Sequence, residues 1–235
     1  MSLLEIIFDP FVLFCVGCIV TPPLVDKTLS RDAQLDYFTH PAMLFCAALL
    51  IITYVYTFVV NRQRVVKLAA SKRMLARWYL LNGVIIHILM DGLVGVYKAN
   101  QPFATQYAKL DKRYGADVGT FLGSAVHIVS AMELFVKGPL CILLYIAYHH
   151  NLSIRDPLEL ITCATQIYGT VVYLGQEWLT GGHNFDVDWN LTFSMHYLLY
   201  FWFAVFFGCL LYFVVPGILG YWCFTRIAGD AARRR

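Results

Sequence analysis

Runs of apolar residues, separated by short polar segments, divide the chain into stretches long enough to cross a membrane. A transmembrane helix needs about 20 mostly apolar residues. Five stretches are predicted to form such spans: 43–60, 78–97, 118–148, 158–174 and 191–224. The pattern therefore predicts an all-α fold, a polytopic membrane helix bundle with five transmembrane helices.

A further apolar run, 11–20, lies near the N-terminus and is shorter than a span. We interpret it as an N-terminal hydrophobic helix embedded in the membrane. A short extra span and a re-entrant or interfacial segment remain open as alternatives. The predicted organisation is an N-terminal hydrophobic segment and linker at 1–40, a transmembrane domain at 41–225 and a basic tail at 226–235.

The composition agrees with a membrane protein. Of the 235 residues, 59% are hydrophobic and 14% are charged, whereas soluble domains are about half apolar and about a quarter charged. The formal net charge of +3 is too small to suggest nucleic acid as a partner. All seven cysteines lie within apolar segments, which argues against a disulfide framework, and no metal site is predicted.

The distribution of basic residues predicts how the chain lies in the membrane. Cytoplasmic loops carry an excess of Lys and Arg, and two such segments occur, at 62–77 and at 226–235. Four predicted spans separate these segments, and an even number returns the chain to the same side. Both segments are therefore predicted to be cytosolic, and the C-terminus with them.

Three ionisable side chains, His87, Asp91 and Glu133, lie inside predicted spans. A charged group at the centre of a bilayer costs roughly 3 kcal/mol on insertion scales, and such groups usually face a cavity or a partner. These three residues are therefore the candidate functional site. His87 and Asp91 are four residues apart, which places them on one face of a helix.

A histidine–aspartate pair can deliver a proton in an apolar site, because the carboxylate fixes the tautomer or the charge of the ring. Glu133, on another span, could take a proton back. Acid and base groups on opposite walls of an apolar cavity suit the isomerisation of a carbon–carbon double bond through a carbocation. Two structural alternatives remain open: His87 and Asp91 could lock two helices together, and Glu133 could pair with Lys137.

Six short motifs strengthen this interpretation. They are His87-Ile-Leu-Met-Asp91-Gly92, the segment from Tyr107 to Tyr114, Gly138-Pro139-Leu140, Gln166-Ile-Tyr-Gly169, Tyr200-Phe-Trp-Phe203 and Val215-Pro216-Gly217. In this order they resemble the emopamil-binding protein family, which includes sterol Δ8–Δ7 isomerases and sigma-2 receptor relatives. The resemblance covers roughly residues 42–222 and implies a five-helix enzyme of the endoplasmic reticulum that shifts a ring double bond in a sterol.

The resemblance also implies roles for residues of the second, third and fifth predicted spans. The family's H-x-x-x-E-G motif falls on His87 and Asp91, so the acid is one methylene shorter here. The family's third-helix Glu falls on Ser130, and Glu133 follows one turn later on the same helix face. Near the C-terminus, the family's substrate-facing Asn and Trp fall on Cys209 and Tyr212. These differences from the family pattern indicate a divergent member of the family.

The predicted function is an intramembrane isomerase that moves a double bond in a steroid or triterpenoid and needs no cofactor. His87, Asp91 and Glu133 are the predicted catalytic residues. The predicted substrate-binding residues are Ser130, Tyr168, Trp202, Cys209 and Tyr212. The alternatives are a terpenoid isomerase or cyclase of specialised metabolism, and a non-catalytic membrane protein that binds sterols or amines. The predicted partners are a hydrophobic small molecule and membrane lipid, and a homodimer remains open.

Overall fold

The computed structural model describes residues 3–25, 30–116, 124–185 and 192–233. Throughout these ranges the regular structure is helical and contains no strand, which confirms the all-α prediction. The α-helices are α1 (Leu3–Ile7), α2 (Pro10–Val25), α3 (Arg31–Thr39), α4 (Pro41–Val55), α5 (Ala70–Leu81), α6 (Gln101–Leu110), α7 (Lys112–Gly115), α8 (Ser124–Met132), α9 (Gly138–His149), α10 (Arg155–Leu179), α11 (Met195–Tyr197) and α12 (Gly208–Arg233).

Segments of π-helix interrupt or extend several of these helices, and two of them carry the candidate site. The segment Asn82–Val96 continues α5 and is called the His–Asp helix below. The segment Glu133–Lys137 links α8 to α9 and is called the Glu–Lys helix. Two further π-helical segments, Tyr56–Val60 and Leu198–Phe207, follow α4 and α11. π-Helical segments are rare in proteins, and those that occur are often found at functional sites.

Four continuous helices in the described ranges are long and apolar enough to cross a membrane: Pro41–Val60, Ala70–Val96, Ala125–His149 and Met195–Arg233. This confirms a multi-pass membrane protein. The predicted span 158–174 forms part of α10, which is long enough to cross a membrane but is not among the four helices that are also apolar enough. The count of five crossings therefore stays a prediction. The first residues of the predicted span 118–148, at 118–123, lie outside the described residues, as do the last two of the basic tail.

The second span begins earlier than the apolar pattern indicated, at Ala70 instead of residue 78. The added turns carry two arginines that form hydrogen bonds or ion pairs with residues outside the helix. Arg73 donates to the Leu68 carbonyl at 2.7 Å, and Arg77 pairs with Asp9 at 2.6 Å. Hydropathy alone does not detect such a polar helix end.

The N-terminal segment packs against α5 and the His–Asp helix through α2. Asp9 accepts a bond from the Phe11 amide at 3.0 Å at the start of α2 and also binds Arg77. The Phe11 ring lies 4.4 Å from the ring of Trp78. The apolar part of α2, Pro10–Thr21, is shorter than the four spans, so whether it crosses the membrane stays open.

The chain forms two compact units, Met1–Ala104 with Ser130–Arg155, and Thr105–Val129 with Asp156–Arg235. In the first unit, α5 and the His–Asp helix pack against α9 and the Glu–Lys helix. These helices carry fully buried side chains, among them Trp78, Leu89 and Leu144. The first unit thus brings the His–Asp helix and the Glu–Lys helix face to face.

Glycines allow the helices of the first unit to approach closely. A Cβ atom added at Gly138 would lie 2.5 Å from Ile88 Cγ1, and one at Gly83 would lie 2.8 Å from the Gly138 carbonyl oxygen. A Cβ atom added at Gly92 would lie 2.7 Å from Leu134 Cβ. Even a methyl group at these positions would therefore push the His–Asp helix away from the Glu–Lys helix and α9.

We expect Gly138→Ala to lower the stability of the protein by about 1–3 kcal/mol, as overpacking does. Thermal unfolding in detergent, followed by intrinsic fluorescence, measures the effect. Gly175→Ala is the matched control, because no atom lies within 4 Å of its added Cβ and alanine favours a helix. Equal midpoints for the two variants would contradict this account of the contact.

The second unit contains a buried network around Arg113. Arg113 and Asp111 are both fully buried, and Arg113 Nη2 lies 2.6 Å from Asp111 Oδ2. Arg113 also donates to the Tyr173 carbonyl at 3.2 Å and lies over the Tyr173 ring. Burial lowers the pKa of Arg113, but its hydrogen bond and charge pairing with Asp111 raise it above the usual value. The network fastens α7 to the C-terminal part of α10.

Candidate active site

The His–Asp helix and the Glu–Lys helix bring His87, Asp91 and Glu133 together. His87 Nδ1 lies 3.3 Å from Asp91 Oδ2 on its own helix and 3.7 Å from Glu133 Oε1 on the facing one. The three side chains are between 2% and 16% exposed. An imidazole nitrogen therefore stands within reach of two carboxylates inside the apolar core.

A fourth ionisable group, Lys137, completes the cluster. Its Nζ donates to Glu133 Oε1 at 3.1 Å, the same oxygen that faces the His87 ring. A buried carboxylate needs such a partner, because an isolated charge in an apolar interior is costly. The pairing of Glu133 with Lys137, left open as a structural alternative above, is thus present. It coexists with the approach of Glu133 to His87.

A fifth polar residue, Asn82, was not singled out from the sequence. It is fully buried at the start of the His–Asp helix, and its Nδ2 lies 3.1 Å from His87 Nε2. Both ring nitrogens of His87 therefore have polar neighbours. The available signal was an asparagine five residues before the histidine in an otherwise apolar run.

The cluster offers the donor atoms that a metal ion would need. His87, Asp91 and Glu133 each present one ligand atom, and these atoms lie within 4.8 Å of one another. However, the Lys137 ammonium already binds the Glu133 oxygen that a cation would use. The residues present therefore fit a proton-transfer site better than a cation site.

Ser130 lies in the last turns of α8, three residues before Glu133, and is almost completely buried. The helix changes from α to π geometry at Glu133. That Ser130 occupies the position of the family's third-helix acid stays a prediction. The carboxylate that approaches His87 is Glu133.

The other predicted substrate-binding residues belong to the second unit. Tyr168 is 68% exposed on α10. Trp202 is half-buried, stacks on Phe193 at 5.2 Å and, like Cys209, packs against the apolar cluster of Phe185, Phe201 and Val205. Tyr212 is half-buried on α12. Their roles in substrate binding stay predictions.

Comparison with known proteins agrees with the motifs. The family model described as EXPERA (EXPanded EBP superfamily) matches residues 103–223 of the chain, which is half of its length. The chain belongs to this family. The matched region includes Glu133 and the second-unit residues discussed above, but it begins after His87 and Asp91.

Individual EXPERA relatives extend the match toward the N-terminus. The proteins from Mus musculus and Rattus norvegicus named 3-beta-hydroxysteroid-Delta(8),Delta(7)-isomerase are each 27% identical over 203 residues, which is 83% of this chain and 81% of theirs. The protein of the same name from Cavia porcellus is 25% identical over 207 residues, 80% of this chain and 83% of its own. At this identity the chain is a divergent member of the EXPERA family.

Proposed function

We propose that the chain is an intramembrane isomerase that moves a carbon–carbon double bond in a steroid or triterpenoid. The observation that carries the proposal is the approach of His87 Nδ1 to the carboxylates of both Asp91 and Glu133 across two facing helices. The names of the EXPERA relatives support a sterol-like substrate. We infer that the protein acts in the endoplasmic reticulum membrane with its C-terminus in the cytosol.

A shift from a Δ8 to a Δ7 double bond requires one proton to be added and one to be removed. The electron pair of the C8–C9 double bond forms a new bond from C9 to a proton given by the His87–Asp91 pair. This leaves a carbocation at C8. Glu133 then takes a proton from C7, and the electrons of that C–H bond form the C7–C8 double bond.

The cluster also supplies negative charge that stabilises the carbocation intermediate. Carboxylates fixed in an apolar site stabilise a developing positive charge more strongly than they would in water. Lys137 balances one of the two acids, so Glu133 can remain ionised and able to accept a proton. A proton must then return from Glu133 to the pair, and the 3.7 Å separation of Glu133 from the His87 ring keeps that return short.

A second candidate function uses the same chemistry on another skeleton, as a terpenoid isomerase or cyclase of specialised metabolism. The replacement of the family's acid by Ser130, of its amide by Cys209 and of its tryptophan by Tyr212 favours this candidate. A third candidate is a non-catalytic protein that binds sterols or amines. It is favoured by the carboxylates themselves, since an acid in an apolar cavity also attracts an amphiphilic cation.

Microsomes from a host that lacks its own Δ8–Δ7 isomerase test the proposal. The chain is expressed there, a Δ8 sterol is supplied, and the position of the double bond is read by gas chromatography and mass spectrometry. The expected result is the Δ7 product, absent with empty vector. Turnover only of a triterpenoid precursor would support the second candidate. Binding of a radiolabelled tertiary amine, without turnover of either compound, would contradict an isomerase.

The third-helix acid can be assigned with two variants. We expect Glu133→Gln to lower kcat by about 10²–10⁴-fold, the usual contribution of a general base, because an amide cannot accept the proton. Ser130→Ala, its neighbour on α8, should change kcat by less than about tenfold, because no proton passes through it. The same microsomal assay compares the two. A larger loss for Ser130→Ala would place the base at the family position instead.

A further inference from the structure

Asn82 is the polar neighbour of His87 on the side away from the two acids. Its Nδ2 lies 3.1 Å from His87 Nε2, and both side chains are almost fully buried. An asparagine Nδ2 carries hydrogens and can only donate. With the amide in this orientation, Asn82 Nδ2–H donates to His87 Nε2, and a ring nitrogen that accepts a hydrogen bond carries no proton.

The opposite ring nitrogen then carries the proton of the neutral imidazole. A neutral histidine has one N–H, and the bond made by one nitrogen sets which nitrogen holds it. His87 Nδ1–H points to Asp91 Oδ2 at 3.3 Å and lies 3.7 Å from Glu133 Oε1. A proton on Nε2 would instead place two donors, Asn82 and the ring, face to face.

The π-helical geometry explains how Asn82 reaches the ring. In an α-helix, residues five apart are rotated by about 140° around the axis and face different directions. In a π-helix the hydrogen bonds run between residues five apart, and the wider turn brings such residues closer to a common face than in an α-helix. The His–Asp helix begins at Asn82, which brings residue 82 onto the face of residue 87.

We propose that Asn82 is a positioning residue that holds His87 as the neutral Nδ1–H tautomer. The consequence of this tautomer for catalysis rests on the proposed isomerase function. In the His87–Asp91 pair, the proton given to the alkene then resides on the Asp91 carboxyl. When Asp91 gives that proton to the substrate carbon, it becomes a carboxylate, and His87 Nδ1–H donates to it. His87 keeps its own proton during this transfer.

The charges around the ring are compatible with a neutral His87. Asp91 faces the ring from its own helix, and Glu133 and Lys137 face it from the Glu–Lys helix. With the transferable proton on Asp91, the remaining charges are the Glu133 carboxylate and the Lys137 ammonium, which form an ion pair at 3.1 Å. The described cluster is then electrically neutral before the substrate reacts.

Nitrogen-15 NMR of histidine-labelled protein in detergent reads the tautomer directly, without a substrate. Protonated and unprotonated ring nitrogens have well-separated chemical shifts, and His87→Gln identifies the His87 signals among the seven histidines. The expected result is a protonated Nδ1 and an unprotonated Nε2. A protonated Nε2 in the unaltered protein would overturn the inference, whether or not the protein isomerises a sterol.

Variants then link the tautomer to turnover. Asn82→Asp keeps the shape but offers an acceptor, and Asn82→Leu removes the hydrogen bond; both should shift the proton toward Nε2. We expect kcat to fall about 10–100-fold, by analogy with the loss seen when the hydrogen-bond partner of a metal-binding histidine is removed, with KM little changed. Asn82→Gln, which keeps a donor, should restore part of the loss.

Asn61→Leu is the matched control, because Asn61 Nδ2 donates to a backbone carbonyl outside the cluster. It should leave both the His87 tautomer and kcat unchanged. An unchanged His87 tautomer in both Asn82→Asp and Asn82→Leu would also overturn the inference. An unaltered protein that shows the expected tautomer but no turnover would contradict the isomerase proposal alone.

Discussion

Asp91→Asn is expected to lower kcat for double-bond isomerisation by about 10²–10⁴-fold, the usual contribution of a general acid. The asparagine has nearly the same size and its oxygen can still accept the hydrogen bond from His87, which the wild-type carboxylate receives at 3.3 Å. It has no acidic proton to give to an alkene carbon. The loss should therefore appear in kcat, measured in microsomes, with the amount of folded protein unchanged.

Two further variants make this result specific to the cluster. His87→Ala should also abolish turnover, because it removes the group that holds Asp91 and faces Glu133. Asp36→Asn, at an exposed position on α3, removes a carboxylate of the same kind and should leave turnover unchanged. Full activity in both Asp91→Asn and His87→Ala would rule out the assignment.

Arg113→Ala is expected to produce the largest loss of stability. Removing one partner of a buried ion pair costs about 3–5 kcal/mol, because the other charge is left buried and unpaired. Arg113 and Asp111 are both fully buried, and Arg113 also donates to the Tyr173 carbonyl and to Gln176 Oε1. Thermal unfolding of the purified protein in detergent measures the loss.

Arg113→Lys separates charge from geometry. Lysine keeps the positive charge but cannot make the forked contacts of a guanidinium, so its midpoint should lie between those of the unaltered protein and Arg113→Ala. Arg64→Ala, at an exposed position, is the control and should change stability by less than about 0.5 kcal/mol. A midpoint for Arg113→Ala equal to that of Arg64→Ala would contradict a stabilising role for the network.

The sequence predicted the helical membrane architecture well, because the requirement for about 20 apolar residues leaves a strong local signal. It was less informative where charges are neutralised by distant residues. The turns of α5 that carry Arg73 and Arg77 were not expected to continue the second span. Their partners, Glu5 and Asp9, lie 68 positions away in the sequence. No local pattern reveals such pairing.

In the candidate site, too, contacts between residues close in sequence were predicted, and contacts that depend on distant residues were not. The spacing of His87 and Asp91 indicates a shared helix face, and the two side chains are in contact. The proximity of Glu133 depends instead on close packing at Gly92 and Gly138, whose neighbours are remote in sequence. Asn82 escaped attention because α-helical periodicity directs it away from His87, and only the π-helical turn brings the two together.

The central claim is that one buried cluster both gives and takes the proton, and turnover in heavy water tests it most directly. Carboxyl protons exchange with the solvent between turnovers, so the product formed from a Δ8 sterol by the unaltered protein should carry one deuterium, at C9, found by NMR. Asp91→Asn and Glu133→Gln should form almost no such product. A Δ7 product without deuterium at C9, or equal labelling in both variants, would contradict the account.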